Sequence, residues 1–297
     1  MNSPEIPNEQ PNARMIAFAL MFAVLWGGNS VSIKIGLQGV PPLALAGFRF
    51  LLALAAVTAW SISQRVSIRP NRGELGPLFL LGIAFVMQIV TLNVGTQLTS
   101  AARSTIMINF FPFFTALFAH FWVPGDRLSF LKVTGIGVAF CGVFITFVPA
   151  LQLGSHSYLV GDLFVLISAN LLGLRTVVTK RLIQSIHPYR LLIWLMIFSL
   201  PCFFGSSLIL EDQSSYAFTP VVIAAILYQG LIVGAFCFVG WTSILKKHSP
   251  SKLVVFAFAT PISGIIFNHL LLGDELGLSL IAGAVLIAFG IYLVNKR

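Results

Sequence analysis

The chain has 297 residues, of which 57% are apolar and only 9% are charged. A soluble domain carries about 25% charged residues, so this composition excludes a soluble fold and indicates lipid as the natural solvent. The net charge of +9 does not indicate nucleic-acid binding. The Lys and Arg residues lie in short gaps between apolar runs, as topological charges of membrane proteins do.

The first 13 residues, MNSPEIPNEQPNA, are polar and contain prolines. They lack the basic start and early apolar stretch of a signal peptide. We therefore predict a disordered cytoplasmic tail over residues 1–13, followed by a first apolar run that stays in the protein as a membrane span.

Ten runs of mostly apolar residues follow, each close to the length of about 20 residues that a helix needs to cross the bilayer. They lie at roughly 14–35, 42–64, 75–97, 101–122, 131–149, 159–183, 188–209, 218–246, 250–272 and 277–295. The links between them are too short for a soluble domain. The sequence therefore predicts an all-α integral membrane protein with ten transmembrane helices.

The basic residues predict the orientation of these spans. With a cytoplasmic N-terminus, most of the 18 Lys and Arg residues fall on the inside. They are Arg14, Arg65, Arg69, Arg72, Arg127, Lys132, Lys180, Arg181, Arg190, Lys246, Lys247, Lys252, Lys296 and Arg297. The outside links instead carry acidic residues. The positive-inside rule therefore predicts that both termini are cytoplasmic.

The two halves of the chain resemble each other at a nearly constant offset. The matched positions are Gly27, Lys34, Pro42, Ser100, Arg103, Pro112, His120, Gly135 and Gly142 with Gly173, Lys180, Pro188, Ser249, Lys252, Pro261, His269, Gly283 and Gly290. Each half holds five spans, and an odd number makes the halves face opposite ways. We predict two inverted repeats, 14–149 and 159–295, a recurring design of transporters.

Several short motifs stand in this repeated frame. They are Trp26-Gly27-Gly28-Asn29, then Lys34, Pro42 and Arg49-Phe50; Gly125-Asp126-Arg127-Leu128; Gly240-Trp241; and Gly273-Asp274-Glu275-Leu276. In order and spacing the chain resembles the EamA family of the drug/metabolite transporter superfamily, with Asp in place of Glu in both G-E-x-L motifs. The resemblance implies ten helices around a central cavity and export or exchange of small metabolites.

Three arginines lie in or at the ends of predicted spans: Arg49, Arg103 and Arg175. A charge at the centre of a membrane helix costs about 2.5–3.5 kcal/mol on insertion scales, so such a residue faces protein or a water-filled cavity. We predict that these arginines bind an anionic substrate group. The alternative is structural, with each guanidinium bonded to helix carbonyls or snorkelling to the headgroups.

Other polar and aromatic residues in the spans complete the predicted substrate site: Trp26, Asn29, Gln88, Tyr228 and Trp241. For the aromatic residues packing is the alternative, and for Asn29 the alternative is a hydrogen bond between helices. Pro112 and Pro261 each remove a helix hydrogen bond, so we predict kinks there, with or without a role in gating.

These features predict a secondary transporter, an exporter or exchanger of an amino acid or related anionic or zwitterionic metabolite, in the bacterial inner membrane. A proton-coupled drug efflux transporter and a non-transporting membrane protein are the alternatives. No metal-binding cluster, cofactor motif or catalytic constellation is present, so the sequence predicts neither an enzyme nor a cofactor. The oligomeric state stays open, and a monomer is compatible with the sequence.

Overall fold

The computed structural model of the chain describes residues 6–99, 101–148, 158–212, 216–272 and 278–296. Within these ranges, ten helices are long and apolar enough to span a membrane, which confirms the predicted number. The same ranges contain no β-strand and only one isolated bridge, between Glu9 and His248. The fold is therefore all-α, as predicted.

We number the spans α1 to α10 in chain order, and three of them consist of more than one segment. The bounds are α1 Ala13–Gly36, α2 Pro42–Ser63, α3 Leu75–Leu98, α4 Ala101–Ile108 with Phe111–Trp122, α5 Phe130–Phe147, α6 Leu159–Leu182, α7 Pro188–Leu210, α8 Pro220–Leu227 with Tyr228–Cys237 and Phe238–Lys247, α9 Pro250–Leu253 with Val254–Phe258 and Ala259–Leu272, and α10 Leu278–Asn295.

Local sequence signals set the starts of several helices. The side chain of Asn12 accepts a hydrogen bond of 2.9 Å from the backbone N–H of Met15 and so caps α1. Thr219 caps α8 in the same way, through the backbone N–H of Val222. Prolines stand in the first turns of α2, α7, α8 and α9, where the missing N–H has no helical partner to lose.

Three helices are interrupted at the middle of the bundle. α4 breaks at Asn109 and Phe110, directly before Pro112, and α9 runs as a 3₁₀-helix over Val254–Phe258, shortly before Pro261. Both interruptions lie close to the prolines, and a gating role for these prolines stays a prediction. The central segment of α8, Tyr228–Cys237, is a π-helix, which the sequence did not predict.

Helix packing pairs the two halves of the chain with each other. α5 packs along α10, and α2 packs along α7. α1 contacts α9 and α8, while the corresponding helix of the second half, α6, contacts α4 and α3. Exchanging the halves therefore reproduces the same set of contacts, which agrees with the repeat that we predict from the sequence.

Glycines permit the close packing of α5 and α10. A Cβ atom added at Gly142 would lie 2.7 Å from the carbonyl oxygen of Gly283, and one at Gly135 would lie 2.8 Å from that of Gly290. Real Cβ atoms do not approach backbone oxygens so closely. These small residues let the two helices touch through their backbones, as is common for helices in a membrane.

The distribution of polarity is that of a protein surrounded by lipid. Large apolar side chains face outward, for example Phe130, Ile209 and Leu278, whereas Lys180 and Gln229 have no exposed surface. Without a bilayer this arrangement would expose apolar patches far larger than those of soluble monomers. Polar groups such as these are therefore placed in the interior of the helix bundle, away from lipid.

The N-terminal residues define one side of the bundle, which we call the tail side and predict to be cytoplasmic. Residues 6–12 lie along this side, where Glu9 donates a backbone hydrogen bond of 2.9 Å to the carbonyl of Lys247. This described part of the tail departs from the predicted disorder. Polar tail residues find partners in the links between helices, a possibility that composition alone does not reveal.

Candidate functional site

A cavity of about 320 Å³ lies in the middle of the bundle. Every span except α5 and α10 contributes residues to its wall. Six of the residues predicted to bind substrate line it: Trp26, Asn29, Arg49, Gln88, Arg175 and Trp241. The structure therefore brings together residues from α1, α2, α3, α6 and α8 that are far apart in the sequence.

The two arginines of the cavity are positioned by aromatic rings. The guanidinium carbon of Arg49 lies 4.6 Å from the ring centre of Phe50, and that of Arg175 lies 4.9 Å from the ring centre of Phe85. The two rings contact each other edge to face, with their centres 4.9 Å apart. This geometry provides cation–π stabilisation for both charges and holds both guanidinium groups at the same wall of the cavity.

Neither arginine is neutralised by a carboxylate of the described residues. Among the described residues, neither Arg49 nor Arg175 forms an ion pair or hydrogen bond, and the Nε atom of each is buried without a partner. Buried polar atoms normally have partners, and leaving one unpaired costs about 1–3 kcal/mol. Two N–H donors are therefore available at the cavity wall.

Three amide side chains add unpaired acceptors to the same cavity. The buried oxygens Asn29 Oδ1, Gln88 Oε1 and Gln229 Oε1 have no hydrogen-bond partner among the described residues. The amide nitrogens of the two glutamines are occupied, because Gln88 Nε2 donates to Ser168 Oγ at 3.2 Å and Gln229 Nε2 donates to the carbonyl of Ser32 at 3.0 Å. These bonds orient both glutamine oxygens as acceptors.

Most of the remaining wall is apolar or aromatic, with several threonine and asparagine side chains among the apolar ones. Trp26 and Trp241 contact each other edge to face, with their ring centres 5.0 Å apart. Three leucines of α7 continue this surface: Leu191, Leu192 and Leu195. No Asp or Glu is among the described residues that line the cavity. The site is therefore cationic at the arginines and apolar at the tryptophans, with amide oxygens as its acceptors.

The two ends of the cavity differ in burial. On the tail side, Thr179, Leu191 and Leu245 are buried, with Leu191 and Leu245 only 1% exposed. At the opposite end, Ile33 and Asn93 are half-buried. These tail-side residues of the wall are therefore more deeply buried than the two residues at the opposite end.

Two residues predicted to bind substrate lie elsewhere. Arg103 does not line the cavity, because its guanidinium pairs with the carboxylate of Asp162, and its Nε lies 3.0 Å from Asp162 Oδ2. The hydroxyl of Tyr228 donates a hydrogen bond of 2.7 Å to the carbonyl of Leu25, so this residue ties α8 to α1. The structure thus places both side chains outside the cavity wall, since each finds a partner that only the tertiary fold brings near, and their role in substrate binding stays a prediction.

Sequence reasoning missed the residues that hold the site together. From the sequence, Phe50 and Phe85 are ordinary apolar residues of membrane spans. Their sequence context does not predict that their rings contact arginines. Gln229 gives a weak signal, because an amide in an apolar run needs a partner in the membrane. Gln229 also lies in the π-helical segment of α8, and π-helical turns are frequent at functional sites. This position could be found only from the structure.

The link between α4 and α5 carries the Gly125-Asp126 motif. Gly125 has a φ of 81°, a left-handed conformation that favours glycine. Asp126 accepts hydrogen bonds from Lys132 Nζ at 2.5 Å and from the backbone N–H of Ser251 at 3.0 Å. Burial alone would raise the pKa of Asp126, but Lys132 and Ser251 lower it below its ordinary value. The repeat-equivalent motif, residues 273–276, lies outside the described residues.

A cavity enclosed by membrane-spanning helices, with polar groups facing inward and lipid-facing apolar surfaces outside, defines a membrane transporter. The sequence profile of the EamA-like transporter family matches residues 13–148 and again residues 159–296. The chain therefore belongs to the EamA-like transporter family. It is a multi-pass membrane protein of the drug/metabolite transporter type and not an enzyme.

Related proteins match over nearly their full lengths. The chain is 23% identical to an uncharacterized transporter, YoaV, of Bacillus subtilis, over 91% of this chain and 92% of the relative. It is 28% identical to a Salmonella typhimurium protein named "Probable amino-acid metabolite efflux pump", over 93% of this chain and 92% of that protein. A solved crystal structure with 18% sequence identity superposes with a TM-score of 0.84, covers 95% of this chain and has the same fold.

Proposed function

We propose that this protein is a secondary transporter of a zwitterionic metabolite of the amino-acid type, working as an exporter or exchanger by alternating access. One observation carries the proposal: five residues that line a single cavity each have a buried polar atom without a hydrogen-bond partner among the described residues. Two of these atoms, Arg49 Nε and Arg175 Nε, are donors, and three are the acceptor oxygens of Asn29, Gln88 and Gln229.

A zwitterion complements both kinds of group. Its carboxylate would accept hydrogen bonds from Arg49 and Arg175, and charge-assisted bonds of this kind are roughly twice as strong as neutral ones. Its ammonium group would donate hydrogen bonds to the amide oxygens. Because these oxygens are uncharged, they bind the ammonium group less tightly than a carboxylate would, and the substrate can be released. An anion alone would leave these acceptors unpaired, and a cation alone would meet two positive charges.

The apolar part of the cavity gives this substrate a place for its side chain. Trp26 and Trp241 form an aromatic surface beside the polar groups. The volume of about 320 Å³ is at the lower end of the range of small-molecule sites, about 300–1,000 Å³. A single small metabolite therefore suits the cavity better than a peptide or a large drug.

The relatives support the direction and the compartment of this proposal. The Salmonella protein and an Escherichia coli protein that is 26% identical to this chain both carry the name of an amino-acid metabolite efflux pump. Export across the bacterial inner membrane is therefore the direction and location that we assign to this chain.

Proton-coupled drug efflux is the second candidate, and the site offers it less support. Such transporters use a membrane-embedded carboxylate to bind cationic drugs and protons in turn. Among the described residues of the cavity wall there is no carboxylate, and Arg49 and Arg175 would repel a cationic drug.

Counterflow in proteoliposomes tests the proposal. Purified protein is reconstituted in vesicles loaded with an unlabelled amino acid, and uptake of the labelled form is followed over a panel of amino acids. We expect saturable uptake that free amino acids inhibit. The corresponding decarboxylated amines and the methyl esters should not inhibit, because they lack the carboxylate that Arg49 and Arg175 bind.

A matched variant separates the cavity from general effects of charge. Arg175→Gln should abolish most of the counterflow, whereas Arg181→Gln removes the same charge from an exposed position on the tail side and should leave it unchanged. Inhibition by the amines that equals inhibition by the amino acids would contradict the arginine–carboxylate contact. Uptake of cationic drugs instead would favour the second candidate.

A further inference from the structure

The first described residues of the chain dock against the tail side of the bundle. We call residues 6–10 the N-terminal segment. The side chain of Ile6 packs against a small buried cluster formed by Ala119, Val123 and Val177. Two residues further on, Asn8 Nδ2 donates a hydrogen bond of 2.5 Å to the carbonyl of Pro124 in the link between α4 and α5. The segment is thus anchored to α4 and α6 by both apolar and polar contacts.

The same segment also contacts the link between α8 and α9. The backbone N–H of Glu9 donates to the carbonyl of Lys247 at 2.9 Å, and His248 Nδ1 lies 3.1 Å from the carbonyl oxygen of Glu9. Glu9 and His248 also form the isolated backbone bridge of the structure. Two adjacent residues of the segment, Asn8 and Glu9, therefore join a link of the first half to a link of the second half.

A buried lysine near the end of α6 also contacts this junction, by which we mean the N-terminal segment together with the links that it joins. Lys180 has no exposed surface. Its Nζ donates to the carbonyl of Pro7 at 2.6 Å and to the carbonyls of Leu245 and His248, both at 2.9 Å. A fourth carbonyl, that of Lys246, lies 3.0 Å away. One ammonium group therefore ties the N-terminal segment and the end of α8 to α6.

This junction lies directly against the tail-side end of the cavity. Thr179, which precedes Lys180 in α6, lines the cavity, and so does the side chain of Leu245, whose carbonyl accepts from Lys180. The ends of α6 and α8 cannot separate here without breaking hydrogen bonds of Lys180. The N-terminal segment adds the connection to α4.

We infer that the N-terminal segment is a latch that holds the cavity closed toward the tail side and must undock before the cavity opens there. The inference rests on the proposed alternating-access function. Opening requires the tail-side ends of α4, α6 and α8 to move apart, and the segment bonds to all three regions at once. Undocking removes these bonds together, so the segment sets the population of the state that is open to the tail side.

Cysteine accessibility tests the latch without any substrate. In a variant with Cys141, Cys202 and Cys237 changed to Ala, Thr242→Cys places one thiol on the cavity wall near the tail-side end of α8. A membrane-impermeant maleimide is then applied from the tail side. Deleting residues 2–10 should raise the labelling rate about tenfold, the factor expected when roughly one or two net hydrogen bonds are lost.

Two further variants keep this test independent of the deletion. Ile6→Asp with Asn8→Ala removes the anchors of the segment and should also raise the labelling rate, while Asn12, which caps α1, is retained in every variant. Arg69→Ala is the control, because Arg69 is exposed in the link between α2 and α3, outside the segment, and forms no hydrogen bond among the described residues. Unchanged labelling in folded variants that lack the anchors would overturn the latch.

Cross-linking provides the opposite test. Ile6→Cys and Val123→Cys, joined by a short reducible linker, should hold the segment docked, stop counterflow and keep the Thr242→Cys site unlabelled. Reduction should restore both signals. Counterflow that continues at full cross-linking would overturn the latch while leaving the proposed substrate intact. Failure to find any transported amino acid would instead contradict the proposed function, since the labelling assay needs no substrate.

Discussion

Arginines occupy two different kinds of place in this protein. On the tail side, Arg190 NH1 donates to the carboxylate oxygens of Glu74 at 2.9 and 3.0 Å, and its Nε donates to the carbonyl of Ser67 at 3.1 Å. In the cavity, Arg49 and Arg175 lie over phenylalanine rings and have buried Nε atoms that find no hydrogen-bond partner in the described part of the chain. The hydrogen bonds of Arg190 are thus made within the protein, whereas the Nε donors of Arg49 and Arg175 are not used by the described residues.

The difference identifies which charges are structural. Burial alone would raise the pKa of Glu74, but hydrogen bonds from Asn71 and Arg190 lower it, so this carboxylate stays charged and holds its partner in place. A cavity arginine has only the weaker attraction of an aromatic face. Its free hydrogen-bonding capacity is maintained at a cost in stability, which is typical of a residue that acts on a ligand.

The largest effect on stability is expected where an ion pair that is complete within the protein, like that of Arg190, is broken. Asp126→Asn leaves the buried Lys132 without its carboxylate, and losing one partner of a buried pair costs roughly 3–5 kcal/mol. We expect a clear loss of unfolding free energy, measured by denaturant titration in detergent micelles. Asp126→Asn combined with Lys132→Met removes both charges and should lose less. An equal loss in both variants would show that the pair is not the cause.

The next effect tests the unpaired arginines. Arg175→Gln should weaken the apparent substrate affinity about tenfold to a hundredfold, because a hydrogen bond to a charged group is worth about 1.5–3 kcal/mol. Its stability should change little, since no hydrogen bond or ion pair is lost among the described residues and only the cation–π contact with Phe85 is removed. The substrate concentration that gives half-maximal counterflow measures this. Unchanged affinity together with a large loss of stability would place Arg175 with the structural arginines.

A smaller effect is expected at the amide oxygens. Asn29→Leu keeps a similar size and removes one acceptor, so the apparent affinity for an amino acid should fall about twofold to tenfold, the value of a neutral hydrogen bond. If Asn29 Oδ1 accepts from the substrate ammonium group, the variant should not affect binding of the N-acetylated amino acid. An equal loss for both compounds would assign Asn29 to packing between helices.

The smallest effect concerns pH. Asp126 has a pKa below its ordinary value of 3.8, because the attraction of Lys132 and the hydrogen bonds of Ser251 outweigh its burial. Its contribution to stability is therefore fully present above the unfolded pKa and is lost as the pH falls through the lower, folded pKa. Unfolding titrations from neutral pH down to about pH 3 should reveal this loss, and Asp126→Asn should reduce its slope. An unaltered slope would assign the acid sensitivity to other carboxylates, such as Glu74.

The candidate site could be predicted only in part. Arg175 and Asn29 stood out because a charge or an amide in a membrane span needs a partner or a cavity, whatever the rest of the chain does. Arg103 met the same criterion and proved to be paired with Asp162, which the repeat pattern gave no reason to bring near. The sequence indicates that a charge within a membrane span needs a partner. Which partner it has depends on how the helices pack.

The described part of the tail gives the same result for a segment without hydrophobic periodicity. Residues 6–10 are mostly polar and contain a proline, and their composition is typical of disorder. Residues 6–10 dock through hydrogen bonds to backbone carbonyls and to Lys180. These partners come together only because α4, α6 and α8 end at the same place in the folded protein. No window of sequence around the tail contains that information.

The sequence by itself determined the ten spans, since the hydrocarbon thickness of a bilayer fixes how long an apolar helix must be. It also selected most of the polar residues of the cavity, since burying such groups in a membrane is too costly without a function or a partner. The tertiary structure decided which arginines are free, which rings hold them and where the N-terminal segment docks. Those outcomes depend on distances between residues far apart in the chain, which only the packing of the helices sets.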